Sequence, residues 1–136
     1  MDESKRFLIL SLEGETFAIP IASLLEITVP RNIQKDPKLS EVFEGKIDYR
    51  GKLIPVVNLK KVLKIPGRPG GGLIVMKSSK GPLGLLVDSA TELFEGREHP
   101  AAIPRGVLNS SLQYYAGILK NRDDLVLLLN EDGLLP

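Results

Sequence analysis

The sequence predicts an all-β fold of two small five-stranded barrels packed side by side, and three observations support this prediction. Apolar residues come in short runs, turn-forming residues separate these runs, and the second half of the chain repeats the pattern of the first. The chain has 136 residues, of which 43% are hydrophobic and 26% are charged. These values are typical of one soluble globular domain that is large enough to form a hydrophobic core without disulfides.

The short apolar runs predict strands, because most contain four to eight residues and are too short for typical helices. Turn pairs such as Glu13-Gly14, Arg50-Gly51 and Lys80-Gly81 separate them. The nine runs are Phe7–Leu12, Phe17–Ile21, Leu24–Val29, Ile47–Tyr49, Leu53–Val57, Leu73–Met76, Leu83–Val87, Leu112–Leu119 and Leu125–Leu129. Helix is expected only in brief pieces, around Ile21–Leu25, Leu59–Leu63 and after Asn130.

An internal repeat organises these runs. At an offset of 66, residues 7–27 overlay residues 73–93, and at an offset of 72, residues 45–58 overlay residues 117–130. Four identities support the second overlay, and the order of the two matches favours a duplication. The expected organisation is a single domain of two pseudo-repeated halves, about 7–58 and 73–130, joined by a linker at 59–72. The second half has the longer middle loop, roughly Glu95–Gln113.

Each half is predicted to form one barrel, because closure hides the sheet edges within about 65 residues. Phe7–Leu12 and Leu125–Leu129 are apolar at nearly every position rather than at alternate ones. Strands with this pattern are buried on both faces, which is expected where two barrels pack together.

Composition and charge argue against several classes of protein. Eighteen basic and 17 acidic residues give a net charge of +1, whereas nucleic-acid binders usually carry a clear basic excess. The absence of cysteine excludes disulfides and thiol nucleophiles and fits a reducing cytoplasm. The charged N-terminus predicts no signal peptide, and no apolar run approaches the roughly 20 residues that span a bilayer.

The residues that usually carry catalysis are scarce. His99 is the single histidine, so the multiple-imidazole sites common for zinc are excluded. The glycine-rich stretch 67–72 is followed by Leu73, where a phosphate-binding loop needs Lys-Ser/Thr. We therefore expect no enzymatic activity and no cofactor. A small-barrel nucleic-acid binder is a weak alternative, because most of the seven aromatic residues lie in runs that are typical of a core.

An ordered set of short motifs carries a family resemblance. The pieces are Phe7–Pro20, Leu25-Glu26-Ile27, Phe43–Gly51, Leu53–Leu59, Gly84-Leu85-Leu86-Val87-Asp88, Tyr115–Ile118 and Leu128-Leu129-Asn130. No piece is diagnostic alone, but the order and spacing are specific. The chain resembles the CheW-like domain family of bacterial chemotaxis over about residues 6–135.

The resemblance implies a pair of SH3-like barrels and a non-enzymatic adaptor. Members of this family couple the cytoplasmic tip of methyl-accepting chemoreceptors to the regulatory domain of a CheA-like histidine kinase. The implied location is the cytoplasm, with recruitment to receptor arrays at the inner membrane and no insertion into it. A CheW-like adaptor of a sibling pathway, such as gliding or pilus-based motility, is the alternative from the same family.

The resemblance also implies a binding groove for a helical hairpin of the receptor. In the family, the residues matching Glu26 and Arg50 form an ion pair near this groove. Lys60 stands where the family commonly has arginine, which keeps the charge but loses the bidentate geometry. An apolar floor with a few fixed polar groups suits such a contact. The other residues expected to bind a partner are Leu24, Ile27, Val29, Gly51, Val87 and Asp88.

Overall fold

A computed structural model of the chain describes residues 5–96, 115–121 and 124–134. Strands dominate this part of the chain, and the helical segments are short. The strands are β1 (Lys5–Leu12), β2 (Glu15–Pro20), β3 (Leu24–Thr28), β4 (Phe43–Tyr49), β5 (Lys52–Asn58), β6 (Gly72–Ser78), β7 (Gly81–Val87), β8 (Ser89–Gly96), β9 (Tyr115–Asn121) and β10 (Asp124–Leu129). The helix α1 spans Leu59–Leu63, and single 3₁₀ turns span Ile21–Ser23 and Glu131–Leu134.

The strands form two five-stranded sheets, which confirms the predicted all-β class. Sheet I has the order β8-β1-β2-β10-β9, and sheet II has the order β3-β6-β7-β5-β4. Neighbouring strands are antiparallel except for β2 with β10 and β5 with β7, which are parallel. The three brief helical pieces also lie where the sequence predicts them.

The prediction that each half forms its own barrel is wrong in one respect, because the halves exchange strands. Sheet II consists of the continuous segment 24–87, whereas sheet I combines β1 and β2 with β8, β9 and β10. Each sheet therefore takes a hairpin from one half and three strands from the other. The physical reason is that the runs are apolar on both faces, so the hairpin of one half can complete the sheet of the other.

The pairing registers repeat along with the sequence. In sheet I the parallel pair places Leu128 opposite Ala18, and in sheet II it places Val56 opposite Gly84. These pairs are related by the same offsets of 66 and 72 that relate the sequences. The bulge between Ile9 and Leu10 in sheet I likewise corresponds to the one on β3 in sheet II. The two halves thus use one folding pattern twice.

The buried apolar residues of the described segments form three clusters. The largest packs residues of both sheets together, including Leu10 and Ile19 from sheet I with Ile74 and Leu85 from sheet II. Two smaller clusters lie on the other faces: one around Phe7 in sheet I, and one around residues 47 and 54 in sheet II. In β1, Leu8 and Leu10 therefore belong to a different cluster from Phe7 and Ile9, as expected for strands buried on both faces.

One strand was absent from the predicted runs. β8 has the sequence Ser-Ala-Thr-Glu-Leu-Phe-Glu-Gly, which contains no continuous apolar run. The repeat could have identified it, because residues 89–93 overlay the residues around β3. His99 and most of the loop Glu95–Gln113 lie outside the described residues, so the expectations for them stay predictions.

Candidate partner-binding surface

An exposed apolar stripe runs along β3, at the edge of sheet II. Leu25, Ile27 and Val29 are 41%, 52% and 47% exposed, while the residues between them are partly buried. Leu25 and Ile27 are on β3, and Val29 follows its last residue, Thr28. The alternation of exposed and partly buried residues places the three side chains on one side of this segment. Apolar side chains grouped on one exposed face are typical of interaction sites.

The residues predicted for the groove floor divide between this stripe and the core. Ile27 and Val29 are on the exposed stripe. Leu24 is partly buried against the central cluster, and Val87 is only 1% exposed within it. The expectation that Val87 lines a surface is therefore wrong, because its side chain packs in the cluster between the two sheets. Leu25 was missed, although the two-residue period from Ile27 identifies it.

A strained turn presents Arg50. Tyr49 and Lys52 are paired in the β4–β5 hairpin, so its loop contains only Arg50 and Gly51, with φ values of 52° and 82°. Two positive φ values define a type I′ turn, in which the first position favours Asn or Gly. Arginine here carries a backbone cost, which is a feature often found at functional positions.

Local contacts hold this turn in place. The backbone N–H of Gly51 donates to Oδ1 of Asp48 at 2.8 Å, and the Arg50 guanidinium lies 5.3 Å from the centre of the Tyr49 ring. Arg50 itself is exposed, and Leu53, three residues further on, is 53% exposed. The hairpin therefore exposes both a cation and an apolar side chain.

The expected ion pair between Glu26 and Arg50 is not formed in this structure. Glu26 lies on β3 and Arg50 follows β4, at opposite ends of the strand order in sheet II. Lys46, Lys60 and Lys61, by contrast, each lie within 4 Å of a carboxylate. Glu26 and Arg50 are thus separate features of the candidate surface, and their roles in binding stay predictions.

A buried ion cluster, which the sequence did not predict as a site, forms around Lys60. Lys60 on α1 is 2% exposed, and its Nζ lies 2.6 Å from Oε1 of Glu13 and 2.7 Å from Oδ1 of Asp88. Nζ also donates to the carbonyl oxygen of Arg68 at 2.9 Å. The three protons of the ammonium group can thereby each meet an oxygen, which is the arrangement that makes a buried cation tolerable.

The cluster shifts the pKa values of Lys60 and Asp88 in opposite directions. Burial by itself lowers the pKa of Lys60, but the hydrogen bonds and charges of Asp88 and Glu13 together outweigh burial and raise it above its usual value. The pKa of Asp88 is lowered, first by the backbone N–H of Glu13, which donates to Oδ2 at 2.6 Å, and then by Lys60. Both groups are therefore charged at neutral pH.

Asp88, predicted to bind a partner, is thus held mainly by intramolecular contacts. The linker packs closely around it and its partners. A Cβ atom on Gly70 would collide with the carbonyl of Val87, and one on Gly67 would collide with the Glu13 carboxylate. This close approach explains why glycine stands at positions 67 and 70 of the linker.

The described residues contain no group of three metal-ligating side chains. Within the same part of the chain, no helix has the length and hydropathy needed to cross a membrane. The features that stand out are instead an exposed apolar edge, a strained cationic turn and a rigid ion cluster. Together they define a two-sheet β domain whose surface is suited to contact with other proteins.

Comparisons with known proteins identify its family. A family model described as the CheW-like domain matches residues 6–136, and the chain belongs to this family. The chain is 27% identical to the chemotaxis protein CheW of Thermotoga maritima over 138 residues, covering 98% of this chain and 91% of that protein. It is 38% identical to the chemotaxis protein CheA of Bacillus subtilis over 86 residues, covering 60% of this chain but only 12% of CheA.

A solved structure agrees with this assignment. The crystal structure of the scaffolding protein TtCheW from Thermoanaerobacter tengcongensis matches the fold with a TM-score of 0.88 and 27% identity. The match covers 98% of this chain and 89% of that one. The family and fold expected from the sequence motifs are thereby confirmed.

Proposed function

We propose that this protein is a chemotaxis adaptor that couples chemoreceptors to a CheA-type histidine kinase. The observation that carries the proposal is the family match over residues 6–136, together with a fold that superimposes on a scaffolding protein of the same family. The CheW relative from Thermotoga maritima is named as a chemotaxis protein. A sibling motility pathway and a nucleic-acid-binding function are therefore not favoured.

The similarity to CheA supports a kinase partner of related fold. The 86 matched residues make up 12% of CheA, so the likeness concerns one region of the kinase. A partner built from the same kind of sheets could pack edge to edge with this domain, since β3 and β4 form the edges of sheet II. On this proposal the chain acts without catalysis, in the cytoplasm at receptor arrays.

The β3 stripe is the proposed contact for the receptor. Its three apolar side chains give a surface on which the apolar face of a helical hairpin can pack, as in helix-in-groove recognition. Arg50 on the β4–β5 turn supplies an exposed cation, with Gly51 holding the turn geometry. Glu26, on the same strand as the stripe, supplies an acidic group.

Co-sedimentation of three components tests the proposal. Vesicles carrying a chemoreceptor from the same genome are spun down with the kinase in the presence and absence of this protein. We expect the kinase to enter the pellet only when the protein is added, and its phosphorylation rate to respond to receptor ligand. Equal amounts of pelleted kinase with and without the protein would contradict a coupling function.

A further inference from the structure

The chain passes between the two sheets at two places. β2 of sheet I leads into β3 of sheet II through the 3₁₀ turn Ile21–Ser23. β7 of sheet II leads back into β8 of sheet I through a single residue, Asp88. The relative orientation of the two sheets depends on the packing between them and on the conformation of these two crossings.

The ion cluster joins both sheets at the second crossing. Glu13 belongs to the β1–β2 turn of sheet I, Lys60 follows β5 of sheet II, and Asp88 is the crossing residue itself. The backbone N–H of Asp88 also donates to the carbonyl oxygen of Ser11 at 3.0 Å. On the next residue, the hydroxyl of Ser89 lies 2.7 Å from that of Ser11. The crossing is thus tied to both sheets by side chains and backbone.

The repeat shows that the fold itself does not require this cluster. The positions equivalent to Glu13, Lys60 and Asp88 are Ser79, Asp132 and Ala22, none of which is a cation. There, Oδ1 of Asp132 accepts a hydrogen bond from the backbone N–H of Ser79 at 2.7 Å. The same turn N–H is satisfied in both halves, but only one half has gained a buried lysine with two carboxylates.

We infer that the contacts of the Lys60 ammonium group fix the position of the β7–β8 crossing. They thereby hold the two sheets at one relative orientation. Lys60 is then a positioning residue for any partner that contacts both sheets, and this second statement rests on the proposed adaptor function. The three contacts of Nζ come from the turn of one sheet, the crossing and the linker, so their loss frees all three segments together.

Distance measurements between spin labels test this inference directly. The chain has no cysteine, so labels attach only to cysteines that are introduced for the purpose. Lys52→Cys on sheet II and Ala116→Cys on sheet I introduce labels at exposed positions on β5 and β9. We expect one narrow distance distribution in the parent protein and at least a doubling of its width after Lys60→Met. Lys60→Arg, which keeps a cation, should restore most of the narrow distribution.

Matched controls separate orientation from local stability. Lys61→Met removes the neighbouring lysine, whose side chain is 52% exposed, and Asp132→Ala alters the repeat-equivalent position. Neither substitution should broaden the distribution. Asp88→Asn keeps the oxygen acceptor but removes the charge, and it should broaden the distribution less than Lys60→Met. It also serves as the test if Lys60→Met does not fold, as judged by circular dichroism.

Two outcomes would overturn the inference. One is an unchanged distribution in folded Lys60→Met or Asp88→Asn; the other is equal broadening by Lys61→Met. Binding to the kinase regulatory domain is measured on the same variants, and a loss of at least fivefold is expected for Lys60→Met. If the parent protein binds neither partner, the proposed function is wrong. The distance distributions still decide whether Lys60 fixes the relative orientation of the two sheets.

Discussion

At the scale of single residues, Lys60 is the most consequential side chain. A buried ammonium group is costly unless oxygens surround it, and here Glu13, Asp88 and the carbonyl of Arg68 do so. Removal of the lysine leaves two carboxylates close together without their cation. Since the side chains of Glu13 and Asp88 are 47% and 34% exposed, water screens part of that repulsion.

Lys60→Met is therefore expected to lower the free energy of unfolding by about 2–3 kcal/mol, which is less than the roughly 3–5 kcal/mol typical of breaking a fully buried ion pair. Lys61→Met, at an exposed neighbouring position, should change it by less than about 0.5 kcal/mol. Urea denaturation of both variants measures the difference. Equal losses of stability in the two variants would contradict a special role for the buried lysine.

The pH dependence of stability follows from the same cluster. Because the pKa of Asp88 in the folded state lies below its usual value of 3.8, the stabilisation is complete above that pH and is lost as the pH falls below it. The raised pKa of Lys60 acts at the other extreme: its stabilisation is complete below 10.5 and is lost as the pH rises further.

Asp88→Asn should accordingly flatten the acid side of the stability profile. The check is the urea midpoint measured from pH 6 down to pH 3 for both proteins. The parent protein should lose stability more steeply than the variant below about pH 4, where Asp88 of the unfolded chain binds its proton. Parallel profiles would mean that other carboxylates control acid unfolding.

At the scale of elements, β3 and the β4–β5 hairpin carry the candidate surface. β3 is an edge strand with an apolar exposed side, a feature that monomeric proteins usually avoid unless a partner covers it. The hairpin holds arginine in a conformation that asparagine adopts at lower cost. Both elements are therefore less favourable for the stability of the folded protein than they could be, which is expected where a surface serves binding.

The apolar stripe should be necessary for receptor binding and dispensable for folding. Ile27→Lys is expected to weaken binding to the receptor tip at least about tenfold, with a change in stability within about 0.5 kcal/mol because the side chain is half exposed. Leu93→Lys is the matched control, since Leu93 is equally exposed at the repeat-equivalent position of β8. Similar losses for both variants would argue against a specific role for β3.

The variant Arg50→Asn tests the backbone strain of the β4–β5 turn and the role of Arg50 in receptor binding separately. Asparagine suits the first position of a type I′ turn, so we expect a gain of about 0.5–1 kcal/mol in stability. The loss of the exposed cation should at the same time weaken receptor binding. Thermal denaturation and a binding titration of the same sample give both values. A variant that is more stable and binds unchanged would remove Arg50 from the proposed surface.

At the scale of the whole molecule, the fold is one pattern used twice, with the halves exchanging strands. The strands, the short helical pieces and the repeat were predictable, because apolar runs, turn residues and sequence offsets are local or directly comparable signals. The exchange was not predictable in this way. β1 pairs with β8, about 80 residues away, and both a self-contained and an exchanged pairing satisfy the same apolar pattern.

The candidate site was predictable only in part, for similar reasons. Ile27 and Val29, which were predicted to line the groove, have exposed side chains, and so does Leu25. Their role in binding stays a prediction. Val87 was assigned wrongly because an apolar strand residue looks the same in sequence whether it faces a groove or the core. The ion cluster was not predicted, because Glu13 and Asp88 are 47 and 28 residues away from Lys60 in the sequence. Only the folded chain brings them together.

Binding to the kinase tests the central claim most directly. Titration calorimetry of this protein with the isolated regulatory domain of a CheA-type kinase from the same genome is the measurement to make. The adaptor function predicts one-to-one binding with a dissociation constant in the micromolar range or tighter, which corresponds to about −8 kcal/mol. An absence of binding, confirmed by a second method, would contradict coupling to this kinase while leaving the fold and family unchanged.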